Sequence, residues 1–326
     1  MKNGNSSFKF ILMNRKKVWI PAILLILVLA LPVSGLWDAS NQLLFPVWRG
    51  VTKDLSVCKE ETAKYWGREC GNLRKSREFK FSEVKIGSVN GYELPGWLIV
   101  AAENGMAPAN ASILLVHGGG GDRREVTKYI RFFLNRKFDV LTFDLSCHGE
   151  AQCPVPGLTY GHRESRDVLG GYRYLADRYS KVYAMGSSVG AASILIAMPD
   201  MHKLSAVIAE NPIFNFQRLI IESPAAPKFL PNWFKNLLVQ LTMLRGKFDG
   251  LLSPANSIRL VKSIPIYFIQ SKADIVNPFR HTQELAELYA GPKTLWFPEI
   301  GSHGAIWDVD ATGYERRLED FLKRVR

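Results

Sequence analysis

The chain has 326 residues, with 42 Lys and Arg against 30 Asp and Glu and a formal charge of +12. No repeat or low-complexity tract is visible, and the length suits one domain of about 245 residues behind an N-terminal extension of about 80. Outside the first 17 residues the cations are scattered, without a basic helix, a recognisable motif or an interleaved aromatic pattern, so nucleic acid is not an expected partner; an anionic membrane or envelope polymer suits the charge better.

In chain order, residues 1–17 carry Lys2, Lys9, Arg15, Lys16 and Lys17 and no acid. Val18 to Leu36 is then uncharged and rich in Ile, Leu, Val and Ala, with Trp19 and Trp37 at its ends. Such a span is long enough for one membrane-crossing helix, and tryptophans favour the interfaces. The expectation is a single transmembrane anchor over 18–37, with leader 1–17 in the cytoplasm and the rest on the far side. The alternative is a cleaved signal peptide, with Ile23–Leu31 as its apolar region and small residues near Ser34 and Gly35, giving a secreted or periplasmic protein.

Residues 38–78 read as a polar, aromatic-studded stalk, helical or irregular, packed against the domain that follows. The four cysteines fall into two local pairs, Cys58 with Cys70 and Cys147 with Cys153. Local pairing is the cheapest of the three connectivities, and disulfides persist in an oxidising compartment. Four reduced thiols is the competing reading. Neither spacing is Cys-x-x-Cys, so no zinc or dithiol redox site is expected.

From residue 79 onward the pattern alternates. Strands are expected near 79–87, 92–101, 111–117, 138–144, 181–187, 204–210, 264–270 and 293–299. Helices are expected near 123–136, 163–178, 189–198, 278–290 and 312–325. Alternation of this kind means a mostly parallel sheet with helices on both faces.

Four strand ends carry chemistry. After 111–117 come His117 and the glycines 118–121, a turn whose N–H groups can face a cleft and stabilise an oxyanion. It lacks the Gly-Lys-Ser/Thr ending of a phosphate loop. After 181–187 comes Gly186-Ser187-Ser188-Val189-Gly190, a G-x-S-x-G turn in which Gly186 and Gly190 stand where a Cβ would collide with neighbouring chain. Asp274 follows strand 264–270, and His303 follows strand 293–299. A serine at a strained turn, a histidine base and an orienting acid together form an activated nucleophile. Glu210 at the end of 204–210 competes with Asp274 as the acid. Among the histidines, His162 precedes a helical pattern, His202 and His281 read as surface residues, His117 and His148 sit at glycine turns early in the chain, and His303 is the expected base.

The order Ser188, Asp274, His303, each just after an apolar strand, resembles the α/β-hydrolase superfamily over roughly residues 80–326. Phe138–Gly149 is similar to the family's D-x-x-x-H-G loop, through Asp144, His148 and Gly149. Tyr160–Asp167 is similar to the Y-G-x-x-E-x-x-D entry to the next helix, a feature of serine aminopeptidase-like and lysophospholipase-like members. The resemblance implies an α/β-hydrolase fold with a short helical lid and an oxyanion hole from Val189 and Gly119 or Gly118. It gives His117 and His148 structural or oxyanion-loop roles. No metal or organic cofactor is implied.

The long segment 211–252 falls where this superfamily places its lid. It holds Phe214, Phe216, Phe229, Trp233, Phe234, Leu237 and other apolar residues, with Lys228, Lys235, Arg245 and Lys247 among them. Such a cover suits an acyl or lipid-like small molecule, and its cations could meet anionic lipid. An ester of a hydrophobic acyl group leads as substrate. A peptide, a thioester, or a non-catalytic binding role on the same fold are the alternatives.

Overall fold

A computed structural model describes residues 33–46 and 54–325. Eight strands form one sheet: β1 Ser82–Gly87, β2 Glu93–Ile99, β3 Ala111–Val116, β4 Phe138–Phe143, β5 Val182–Ser187, β6 Leu204–Glu210, β7 Ile266–Ile269 and β8 Lys293–Trp296. Their spatial order is β1-β2-β4-β3-β5-β6-β7-β8. β2 runs antiparallel to both β1 and β4, and the pairings from β4 through β8 are parallel.

The inner strands follow from their composition. Ala111-Ser-Ile-Leu-Leu-Val116 and Phe138-Asp-Val-Leu-Thr-Phe143 are buried at every position, as strands covered on both faces must be. Alternate residues go to opposite layers. Leu114, Val116, Leu141 and Phe143 pack with the helices Glu164–Ala176 and Val189–Ala197. Ile113, Leu115, Phe138 and Val140 pack with Ile130–Leu134 and Ala311–Val325. Burying one such side chain contributes about 1.5–3 kcal/mol. The expected helix over 123–136 is instead a 3-10 turn, Glu125–Tyr129, leading into Ile130–Leu134.

This order creates a switch point. The chain leaves β3 towards β4 on one side, and later leaves β5 towards β6 on the other. The helix after β3 covers one face and the helix after β5 the opposite face. The loops at the carboxyl ends of β3 and β5 therefore diverge, and a crevice opens between them.

The segment 211–252 contains the helices Phe216–Glu222 and Asn232–Gly246. Phe216, Leu219 and Leu238 are buried, whereas Phe229, Trp233 and Leu237 are exposed. Residues 33–44 are helical, with Leu36, Ser40 and Leu44 buried at a spacing of four. Of the expected membrane span 18–37, residues 18–32 and the leader lie outside the described residues. Residues 33–37 depart from it, because Leu36 faces the domain. Among the described residues no helix is long and apolar enough to cross a membrane. Cys58 and Cys70 are bonded, as are Cys147 and Cys153.

Candidate active site

Ser188 caps the helix Val189–Ala197 with φ 52° and ψ −114°, a conformation that L residues avoid and that costs of order 1–3 kcal/mol. Its own N–H donates to the Glu210 carbonyl at 2.8 Å, and its carbonyl accepts the Ala192 N–H at 2.9 Å. The two flanking glycines make the turn possible. A Cβ on Gly186 would stand 2.7 Å from the Gly190 carbonyl carbon, and one on Gly190 would stand 2.5 Å from the His117 carbonyl oxygen. Both obstacles are backbone, so neither can swing aside.

Asp274 and His303 meet as the sequence order requires: His303 Nδ1 lies 2.7 Å from Asp274 Oδ2. The aspartate is 5% exposed and fully committed. Its Oδ1 accepts the N–H groups of Val276 and Asn277 at 2.8 and 3.0 Å, and its Oδ2 also accepts Gln270 Nε2 at 3.1 Å. The histidine side chain keeps 23% of its surface exposed. Its loop lies beside the serine turn, since a Cβ on Gly304 would be 3.4 Å from Ser187 Oγ. Among the described residues the Ser188 hydroxyl has no hydrogen-bond partner. Nucleophile–base contacts are often long without substrate and tighten when it binds.

Glu210, the rival acid, is buried close to the same loops but makes no hydrogen bond to His303. Its Oε2 accepts the hydroxyls of Tyr129 and Tyr314, both at 3.4 Å, its Oε1 has no partner, and burial raises its pKa. His162 lies 3.9 Å from Asp249, away from the serine turn. His281 corrects its surface reading. It is buried between Asn277 Oδ1 at 3.0 Å and Glu222 Oε2 at 3.1 Å, because the helix Phe216–Glu222 supplies the carboxylate that covers it.

In the loop after β3 the two candidate glycines differ in what their N–H groups meet. The Gly118 N–H donates to Glu125 Oε2 at 3.2 Å, so Gly118 does not offer its N–H to the crevice. The Gly118 carbonyl lies 2.7 Å from His117 Nδ1, and His117 Nε2 accepts the Leu145 N–H at 3.0 Å. His117 is therefore neutral with its proton on Nδ1, and burial together with the neighbouring His148 pushes its pKa down to about 3. Fixing the Gly118 carbonyl fixes the next N–H, since the two share one rigid peptide plane. His148 Nε2 holds the Gly119 carbonyl at 3.0 Å. Among the described residues the N–H groups of Gly119 and Val189 remain without partners, the latter at a helix N-terminus whose dipole favours negative charge.

The other motif carboxylates hold loops. Glu164 accepts the N–H groups of Thr159 and Gly161 at 3.0 Å each and the Thr159 hydroxyl at 2.6 Å. Asp167 accepts the Ser146 N–H at 2.9 Å. Asp144 receives both the backbone N–H and the guanidinium of fully buried Arg123, at 2.8 Å each. Glu125 carried no sequence signal, being one of several charged residues in an expected helix. Burial pushes its carboxyl up to about 7.

A fold of this strand order, with a serine turn after β5 and an acid–histidine pair after β7 and β8, defines an α/β hydrolase. The chain belongs to the alpha/beta hydrolase family, whose model matches residues 113–322. It is similar to the uncharacterized protein YfhR of Escherichia coli K12, at 24% identity over 73% of this chain and 79% of that one. It is also similar to the uncharacterized protein YqkD of Bacillus subtilis strain 168, at 26% identity over 73% and 77%. Among solved structures, an esterase of Pyrococcus furiosus matches with a TM-score of 0.60 at 21% identity, covering 77% of this chain and 95% of that one. The acylaminoacyl peptidase of Pyrococcus horikoshii matches with a TM-score of 0.59 at 18% identity, covering 78% and 43%. At these identities the likeness to the solved structures is one of fold.

Proposed function

We propose that this protein is a serine hydrolase that cleaves a carboxylic ester of a hydrophobic acyl group through an acyl-enzyme. The observation that carries the reading is the 2.7 Å contact between His303 Nδ1 and buried Asp274, on the loop beside the strained Ser188 turn. In this mechanism Ser188 Oγ attacks the carbonyl carbon while His303 Nε2 takes its proton. Asp274 keeps the other imidazole proton on Nδ1 and stabilises the imidazolium. The oxyanion lies against the N–H groups of Gly119 and Val189. Collapse breaks the ester bond, and the leaving alcohol takes the proton from His303. Water then adds to the acyl-enzyme along the same path, releasing the acid and restoring Ser188.

The ester reading rests on the apolar residues of the insertion, of which Phe216, Phe248 and Leu252 border a recess together with the polar Thr159, His162, Asn215 and Asp249; the esterase among the structural neighbours supports it, and the acylaminoacyl peptidase keeps the amide as the second reading. The apolar sequence of residues 18–32 supports a catalytic domain held outside the cytoplasm by one membrane segment, or exported after its cleavage. The bonded pairs Cys58–Cys70 and Cys147–Cys153 fit an oxidising compartment.

The deciding experiment is labelling with a fluorophosphonate probe. The expected result is one label, absent from Ser188→Ala; labelling that persists in that variant overturns the assignment, and no labelling of the unmodified protein favours a binding role on this fold. An acyl series of p-nitrophenyl esters then tests the substrate class. Each well-buried methylene is worth about 0.8 kcal/mol, so two or three raise kcat/KM roughly ten- to fiftyfold over acetyl. A flat series with efficient cleavage of aminoacyl amides moves the assignment to a peptidase.

A further inference from the structure

The helix Asn232–Gly246 inverts the usual rule for a surface helix. Its inward positions include Lys235 and Thr242 alongside Leu238 and Val239. Its outward stripe, at spacings of four, three and four, is Trp233, Leu237, Gln240 and Leu244. Trp233 is 69% exposed, Leu237 49% and Leu244 77%. Phe229, three residues before the helix, is 84% exposed. A helix against solvent carries polar residues there, whereas an exposed apolar stripe marks a face that meets a partner surface.

Two observations identify the cover. Between Ser223 and Phe248 the chain has no acidic residue, and besides the inward Lys235 it carries Lys228, Arg245 and Lys247, a charge pattern that suits an anionic surface. The N-terminal helix, residues 33–44, is also tied to the end of this same helix. Arg245 Nη1 donates to the Trp37 carbonyl at 2.9 Å, and its guanidinium stacks 3.5 Å from the Trp37 ring centroid. Trp37 still keeps 52% of its surface exposed. Immediately upstream, residues 18–32 are uncharged and almost wholly apolar, preceded by a leader with five cations and no acid. The chain thus reaches the domain at the exposed apolar face, from the stretch whose composition suits a bilayer.

We propose that the outer stripe of Asn232–Gly246, with Phe229 and Trp37, rests on the surface of an anionic lipid bilayer. This goes beyond a tether. It fixes the domain's orientation and turns towards the lipid the insertion that starts after Glu210, whose carbonyl accepts the Ser188 N–H, so that an apolar substrate can pass from the bilayer without crossing water. The proposal uses the membrane reading of the upstream residues 18–32 only for the point at which the chain arrives.

The test is tryptophan quenching with the full chain in vesicles of phosphatidylglycerol and phosphatidylcholine, with plain or brominated acyl chains. Brominated lipid is expected to remove an emission component from the unmodified protein that Trp233→Phe lacks. Vesicles of phosphatidylcholine alone should cut that component at least twofold. Equal quenching of the unmodified protein and Trp233→Phe overturns the proposal, and a component insensitive to lipid charge overturns its anionic part. If Trp233 is shielded from acrylamide yet untouched by brominated lipid, and Leu237→Cys forms a linked pair, the face is an interface between copies and the proposal falls. Trp19→Phe reads the upstream segment separately. Loss of bromolipid quenching at Trp233 but not Trp19 leaves a tether without docking, and the reverse leaves docking without a tether.

Discussion

The Glu125 carboxylate accepts the N–H of Gly118 at 3.2 Å, so that of Gly118 and Gly119 it is Gly119 whose N–H has no partner among the described residues. The approach depends on Gly121, where a Cβ would stand 1.7 Å from Glu125 Oε2. Glu125→Gln keeps an acceptor and should keep kcat. Glu125→Ala frees the Gly118 N–H and should lower kcat by roughly tenfold, short of the hundredfold or more typical of losing an oxyanion donor outright. Equal rates in the two variants would show that the clamp has no catalytic consequence.

The same carboxyl makes stability depend on pH. Its pKa is raised from 4.5 to about 7, mainly by burial, with Asp122 and Glu210 adding to the shift and Lys128 and the Gly118 N–H opposing it. Below about 4.5 it is protonated in the folded and unfolded chains alike. Between there and about 7 the unfolded chain releases the proton first, so its contribution to stability falls as pH rises and the full cost is present above 7. Urea midpoints for the unmodified protein should therefore decline relative to Glu125→Gln across that window. Parallel pH profiles would contradict the assignment.

Asp274 and Glu210 should separate cleanly. Asp274→Asn places an amide donor opposite His303 Nδ1 and Gln270 Nε2, and it should lower kcat by roughly 10⁴ through the wrong tautomer. Glu210→Gln should change kcat only a few-fold, since that side chain meets Tyr129 and Tyr314. A larger loss from Glu210→Gln in steady-state kinetics would reverse the roles.

Gly186→Ala and Gly190→Ala should each destabilise by about 1–3 kcal/mol or more, because the new methyl meets backbone that cannot move aside. Gly250→Ala is the control, its Cβ coming no nearer than 3.7 Å to Met243 Sδ. Chemical denaturation should show a loss at the first two positions and almost none at the third.

Peptide mapping without reductant should recover Cys58 with Cys70 and Cys147 with Cys153. Closing such short loops is worth about 2–3 kcal/mol each by chain entropy. The Cys147–Cys153 loop also holds Glu150, which pairs with Arg74 at 2.7 Å and with buried Arg123. Reduction should therefore loosen the histidine–glycine loop, read as faster amide exchange at Arg123 and His148. Four alkylatable thiols in native protein would remove the basis for this.

Much of the fold was legible because its signals are local. Apolar runs of six or seven residues mark the parallel strands, and their alternation with helical patterns sets the layers. The serine turn was readable because Gly-x-Ser-x-Gly is a steric demand on five consecutive residues. The positions of Asp274 and His303 followed from strand ends. What the sequence could not decide were contacts between residues distant along the chain. Whether Asp274 or Glu210 reaches His303, and whether Gly118 or Gly119 keeps a free N–H, depends on Glu125, Tyr129 and Tyr314 arriving from other elements. His281 looked exposed and is buried because Glu222 comes over it from the insertion. The outward tryptophan and leucines of Asn232–Gly246 read as part of an apolar cover for a substrate, and only the tertiary structure shows which face of that helix the domain uses. Periodicity reports that a face is apolar, while packing decides what it meets.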